Sequence, residues 1–261
     1  MDSVQKPAVA GVFYPAEPQV LHAQVRGLLE RASAAVVAPK AIIAPHAGYI
    51  YSGAIAASAY ARLQSARGVI RRVVLLGPSH RVAFHGLAAP NVDHVETPLG
   101  RIALDREALR ALSDLPQFLI SDTAHAREHS LEVHLPFLQE VLGNFAIVPL
   151  AVGDATPAEV GAVLDRLWGG PETIIVISSD LSHYHDYETA RRLDRETSRA
   201  IEQLRYQDLD YDSACGRVPV SGLLYVAQRR GLKCETIDLR NSGDTAGARD
   251  RVVGYGAYVF H

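Results

Sequence analysis

Three apolar runs in this chain each end on a histidine. Ala41-Ile-Ile-Ala44 runs into Pro45-His46, Arg72-Val-Val-Leu-Leu76 into Gly-Pro-Ser-His80, and Thr173-Ile-Ile-Val-Ile177 into Ser-Ser-Asp180-Leu-Ser-His183. One such histidine is more often a hydrogen-bonded loop residue than a ligand. Three with the same grammar, one of them with a carboxylate beside it, point to a shared site, because imidazole is the commonest side chain for binding metals or moving protons near neutral pH. Cys215 is the fourth candidate. It stands just before Gly216 and a helix expected from about Pro219 to Arg229, with Arg217 close by. A helix N-terminus and a guanidinium both favour a thiolate, the form needed for a nucleophile or a metal ligand. The competing reading is a small buried residue that packs and does nothing else.

The apolar runs must position these groups. Each is short and rich in β-branched residues, and the first two are stopped by Pro or a Gly-Pro pair, so each reads as a buried strand. In an open α/β sheet, ligands bind in the crevice beyond the carboxyl ends of the strands, which is where His46, His80, Asp180 and His183 would then lie. If the segment from Asp180 is a turn, its carboxylate can face the same pocket as His183 and orient that imidazole. Strand and helix patterns alternate along nearly the whole length, which predicts an α/β fold: a single three-layer domain over 1–261 with a central mostly parallel, mixed sheet flanked by helices and an antiparallel addition around residues 86–103.

Helices are expected from Pro18 to about Arg31, where Leu21, Val25, Leu28 and Leu29 recur at helical spacing. Others are expected from a Ser52 cap to about Leu63, from an Asp105 cap to about Ser113, from a Thr156/Glu159 capping box to about Leu167, and from about Glu188 to Gln203. His22 and His185 read as solvent-facing, and Cys234 as core. The last strand, Val252 to Phe260, contains Gly254 and Gly256, which predict a weak or edge strand or a close backbone approach. The densest polar stretch is Ala124-His-Ala-Arg-Glu-His-Ser-Leu-Glu-Val-His134. Ser130 is expected to cap a helix to Leu142. His129 and His134 are five apart, not the four of the zinc-binding His-Glu-x-x-His pattern, so Glu128, His129 and His134 are candidates for a supporting shell.

Composition narrows the class. A net charge of −3 on 261 residues gives no basic excess for nucleic acid or an anionic membrane surface. The opening residues lack a basic segment followed by an apolar one, and nothing approaches the roughly 18 apolar residues of a membrane span. The expectation is a cytoplasmic protein whose two cysteines are free thiols. No Gly-x-Gly-x-x-Gly, no phosphate-binding Gly-x-x-x-x-Gly-Lys and no Gly-x-Ser-x-Gly elbow is present.

Five segments in order, Ala-Pro-His-Ala-Gly-Tyr-Ile-Tyr-Ser-Gly, Leu-Gly-Pro-Ser-His, Glu-His-Ser-Leu-Glu-Val-His-Leu-Pro-Phe, Ser-Ser-Asp-Leu-Ser-His and Ala-Cys-Gly-Arg-Val-Pro, resemble the Memo family, also called AmmeMemoRadiSam system protein B. The resemblance runs from about Gly11 to Phe260. It implies a fold similar to the catalytic subunit of class III extradiol dioxygenases, His46, His80 and Cys215 at the metal-binding positions, and Asp180 and His183 lining the same pocket. Two imidazoles and a thiolate suit iron(II), copper or zinc, but differ from the dioxygenases' two histidines and a carboxylate.

Three readings follow. In the first, the protein is an iron- or copper-dependent oxidoreductase in which His183 handles protons and Asp180 orients it. In the second, it is a non-catalytic binding protein that recognises a small molecule, a peptide or a protein partner, with radical-SAM and AMMECR1-type proteins suggested by the family name. Tyr49, Tyr51 and Tyr184 would then form an exposed rim. In the third, Cys215 is a metal-free hydrolytic nucleophile with His183 as its base.

Overall fold

The computed structural model describes residues 2–35 and 37–261. In chain order, a two-residue strand β1 (Val4–Gln5) and helix α1 (Pro18–Glu30) lead to β2 (Ala41–Ala44), α2 (Tyr49–Tyr60) and β3 (Arg72–Pro78). Three short strands, β4 (Leu87–Ala89), β5 (His94–Thr97) and β6 (Gly100–Leu104), precede α3 (Arg106–Arg110), β7 (Phe118–Ile120) and α4 (Asp122–His125). Then come α5 (Leu135–Leu142), β8 (Ala146–Val152), α6 (Pro157–Leu167) and β9 (Thr173–Ser178). The rest is β10 (His183–His185), α7 (Tyr187–Glu202), α8 (Arg217–Arg230), β11 (Cys234–Asn241) and β12 (Val252–Phe260).

The uninterrupted apolar runs become the centre of the sheet. Strands β8, β3, β9 and β2 lie side by side in that order, all parallel and almost wholly buried. Burial on both faces is what a run without polar alternation requires. Helices α1, α2 and α5 pack together on one face; α6 and α8 pack together on the other, where α8 lies on β9 and β3. The antiparallel addition is there too: β4 runs antiparallel to β8, and β5 antiparallel to β6. Helix α1 buries Leu21, Val25, Leu28 and Leu29, each worth about 1.5–3 kcal/mol. The capping box of Thr156 and Glu159 opens α6, and Asp186 opens α7 by accepting from the Thr189 amide.

Several local expectations are corrected. Helix α2 begins at Tyr49 behind Gly48, and the Ser52 hydroxyl donates to the Ala47 carbonyl instead of capping. Helix α3 closes at Arg110 rather than running to Ser113. Helix α8 starts at Arg217, because Pro219 falls in the first turn, where a missing N–H costs nothing. Strand β12 is not an edge. It pairs with β11 on one side and with β2 and β10 on the other, and is almost entirely buried. Its glycines mark close approach: a Cβ on Gly254 would run into the Asp194 carboxylate on α7, so helix and strand pack at glycine distance.

Asp194 is itself buried, and its carboxylate accepts the Ser182 amide at 3.0 Å. Burial raises its pKa to about 6, against the hydrogen bonds from Ser182. A folded-state pKa above the unfolded value means that the native state holds the proton more tightly, so stability is lost as pH rises from about 4 through 6. Asp194→Asn is therefore expected to be more stable than the parent at pH 7.5 by roughly 2 kcal/mol. Urea midpoints measured from pH 7.5 down to 4 should show that gap closing.

Candidate metal centre

Strands β3, β9 and β2 are neighbours, so the loops leaving their carboxyl ends carry His80, Asp180 and His46 to one edge of the sheet. Cys215 arrives at the same edge from the residue before the α8 N-cap. Gly216 makes that approach possible. Its amide donates to Ser179 Oγ at 3.0 Å, and a Cβ there would stand 2.5 Å from the Ser178 carbonyl oxygen. Ligand atoms of His46, His80 and Cys215 lie within 4.8 Å of one another.

Hydrogen bonds decide which nitrogen of each ring is available. Ser178 Oγ has one proton and gives it to the Ser130 carbonyl at 2.6 Å. It must then accept from His46 Nδ1, also at 2.6 Å, which leaves His46 Nε2 with a bare lone pair 3.4 Å from Cys215 Sγ. Burial, reinforced by the neighbouring His80 and His129, holds the His46 pKa well below its usual value, so the ring is neutral. His80 Nδ1 lies 2.9 Å from Glu128 Oε1. That carboxylate also accepts the amides of His80, at 2.6 Å, and Ser130, at 2.9 Å. Burial acts to raise the Glu128 pKa, but these donors outweigh it and hold the group at about 2. An ionised carboxylate can only accept, so His80 keeps its proton on Nδ1 and frees Nε2.

Of the supporting residues read from the sequence, Glu128 orients His80, and His129 enters the site itself. The His129 ring stacks on His80 at 4.8 Å between centroids and meets His46 edge-on at 5.4 Å. His80, Glu128 and His129 form a second group of donors within 4.8 Å. His134 is buried behind, with Nδ1 2.7 Å from the Tyr60 hydroxyl. Ser130 does not cap a helix: its hydroxyl donates to the Pro78 carbonyl, and a tight turn over Glu132–His134 precedes α5. That turn also places Glu132 to accept the amides of Ala8 and Val9 and the Tyr14 hydroxyl, a contact the sequence reading did not find.

Asp180 is buried, and its Oδ1 accepts the His46 amide at 2.7 Å, tying the β9 loop to the β2 loop. Burial raises its pKa. Among the described residues no hydrogen bond joins it to the His183 ring, which lines the same cleft from β10. Cys215 Sγ accepts the Asp180 amide at 3.3 Å. Burial and the Asp180 carboxylate push its thiol pKa up, and the Arg217 guanidinium stacks over Tyr211 at 3.6 Å; the thiolate expected from the sequence is replaced by a neutral thiol beside a neutral imidazole. Its imidazole neighbour is His46 rather than His183.

The cleft over these groups measures about 810 Å³ and is lined by Tyr51 and Tyr184 among others. Tyr49 is not on this rim, because its ring is buried and its hydroxyl donates to the Val133 carbonyl at 2.6 Å. Among the described residues no helix is long and apolar enough to cross a membrane.

Two imidazoles whose Nδ1 atoms are engaged and whose Nε2 atoms are left for a ligand, and a thiol that binding would deprotonate, form a donor set suited to a borderline or soft cation on an α/β scaffold. The chain belongs to the Memo family: the family model described as Memo-like protein matches residues 5–259. A MEMO1 family protein of Aquifex aeolicus is 36% identical over 98% of this chain and 99% of its own. One of Saccharolobus solfataricus is 34% identical, covering 97% and 98%. The crystal structure of an uncharacterized protein from Escherichia coli K12 aligns with a TM-score of 0.49 at 13% identity, covering 84% of this chain and 98% of that one.

Replacing Ser178 by Ala removes the partner of two buried groups, the Ser130 carbonyl and His46 Nδ1. The expected cost is about 1–3 kcal/mol in urea unfolding. With the His46 ring no longer fixed, Zn²⁺ affinity measured by chelator competition should fall roughly tenfold or more.

Proposed function

We propose that the protein is a metal-binding redox protein in which His46, His80 and Cys215 hold iron(II), with copper or zinc as the other cations this donor set accepts. The observation that supports it most strongly is the set of donor atoms within 4.8 Å of one another at the carboxyl edge of the sheet. An oxygen-only ion such as Mg²⁺ or Ca²⁺ would leave the sulfur and both imidazoles poorly used. When bound, such an ion supplies one-electron chemistry or Lewis-acid polarisation of a substrate oxygen.

The chain's own residues do the rest. Glu128 and Ser178 fix the two rings through their Nδ1–H bonds, so no reorganisation is needed on loading. Asp180 holds the His46 backbone through its amide. His183 stands in the cleft as the group to give or take a proton at the substrate, in a pocket whose charge the buried Asp180 influences. Small molecules or peptides reach the cleft from the cytoplasm, where neither cysteine is drawn into a disulfide. Radical-SAM and AMMECR1-type proteins are the partners proposed for it.

A second reading, a binding protein without turnover, is favoured by one observation: Tyr51 and Tyr184 stand exposed at the cleft mouth, as recognition residues do. Elemental analysis separates the two. Protein purified without a tag or chelator should carry close to one equivalent of iron or copper. His46→Ala and Cys215→Ser should each lose it while keeping a single cooperative urea transition, which shows that the variants still fold. Unchanged metal content in both variants removes the proposal.

A further inference from the structure

The cleft is electrically one-sided. Arg81 and Arg251 line it, and among the described residues neither makes an ion pair or a side-chain hydrogen bond. The Arg81 charge is near enough to lower the His129 pKa, after the larger effect of burial and the effects of Glu128, His80 and Asp180. Asp180 is the one carboxylate among the lining residues, and it is buried with its Oδ1 committed to the His46 amide. Two guanidinium groups without a carboxylate partner thus line one cleft, where their planar forks suit a carboxylate.

A second observation points to the same place. Tyr184 has φ of 64°, in the left-handed region that bulky residues avoid, and its side chain is 63% exposed. The strain comes with no burial to offset it. Tyr184 is the extra residue of a bulge between β10 and β12, since His183 pairs with Val253 and His185 with Val252. The bulge turns its ring out to meet the Arg251 guanidinium, 5.2 Å from the ring centroid. Strain kept at an exposed aromatic beside an unpaired cation is the mark of a ligand clamp.

We infer that the substrate of this cleft is a small organic carboxylate with a flat apolar body: its anionic end is taken by Arg81 and Arg251 and its flat part lies along Tyr184 and Tyr51. A carboxylate matches the planar fork of a guanidinium, and a flat body matches an aromatic wall. The inference rests on the reading that this cleft is the functional site, but not on the identity or presence of a metal.

Benzoate and benzamide test it, because they share a shape and differ in charge. Both are titrated by ligand-observed NMR into the full chain, as purified and after chelator treatment. Benzoate is expected to bind at least about tenfold tighter in both preparations. Arg81→Gln and Arg251→Gln should each weaken benzoate by about tenfold and leave benzamide unchanged. Tyr184→Gly should weaken both ligands while the urea midpoint stays the same or rises, since glycine relieves the backbone. Equal affinity for the two ligands, binding of neither, or a benzoate affinity indifferent to both arginine variants overturns the inference. So does a preference that disappears on chelation, which would assign the anion to the metal. Metal retained by both the His46→Ala and the Cys215→Ser proteins would remove the metal proposal and leave the chelated titration as it stands, so the two proposals fail separately.

Discussion

One hydroxyl proton governs the chemistry at the sheet edge. Ser178 gives it to the Ser130 carbonyl and can then only accept from His46, so the imidazole is locked with its lone pair toward Cys215. Glu128 does the same for His80 by a different route, through a carboxylate kept ionised by three donors. The His46 ring cannot rotate without leaving its buried Nδ1–H unpaired, which costs about 1–3 kcal/mol. The donor set is preorganised by hydrogen bonds that lie one layer behind it.

The charges of the site follow from its depth. Burial keeps His46 and His129 neutral and disfavours the charged forms of Asp180 and Cys215, while the clamped Glu128 stays ionised. The rim, by contrast, carries the Arg81 and Arg251 guanidinium groups. A cationic rim above a floor that disfavours charge concentrates an anion at the mouth without holding it through a salt bridge at depth, where desolvation would cancel much of the gain.

Much of this was legible in the sequence because continuous apolar runs stopped by proline leave little choice but a buried parallel strand. His46 and His80 could be placed at one edge for that reason and Asp180 by the apolar run before it; Cys215 stood out beside Gly216 and Arg217, and the Memo resemblance made it a metal-binding position. Features decided by tertiary contact were not legible. Gly254 and Gly256 left a close backbone approach or an edge position open for β12, and only the approach of Asp194 to Gly254 and the pairing on both sides decide for the interior. Arg217 promised a thiolate at Cys215, but Tyr211 takes the guanidinium. Tyr49 reads from the sequence as an aromatic rim residue with Tyr51 and Tyr184, and only the helix that begins at Tyr49 behind Gly48 shows that it turns inward. The short strands β1 and β7 and the bulge at Tyr184 carry no local signature strong enough to be read in advance.

The central place of β12 has a consequence for how the protein comes into being. Ile43 of β2 takes its partner from Tyr258, so one flank of the strand that presents His46 stays bare until nearly the whole chain has been synthesised. Such long-range pairing is slow to form and leaves apolar edges waiting. On the ribosome, His46 and His80 emerge long before Cys215, and the sheet that fixes them closes later still. If His46, His80 and Cys215 take up a cation as proposed, the three donors converge on it only once Tyr258 and its neighbours have closed the sheet.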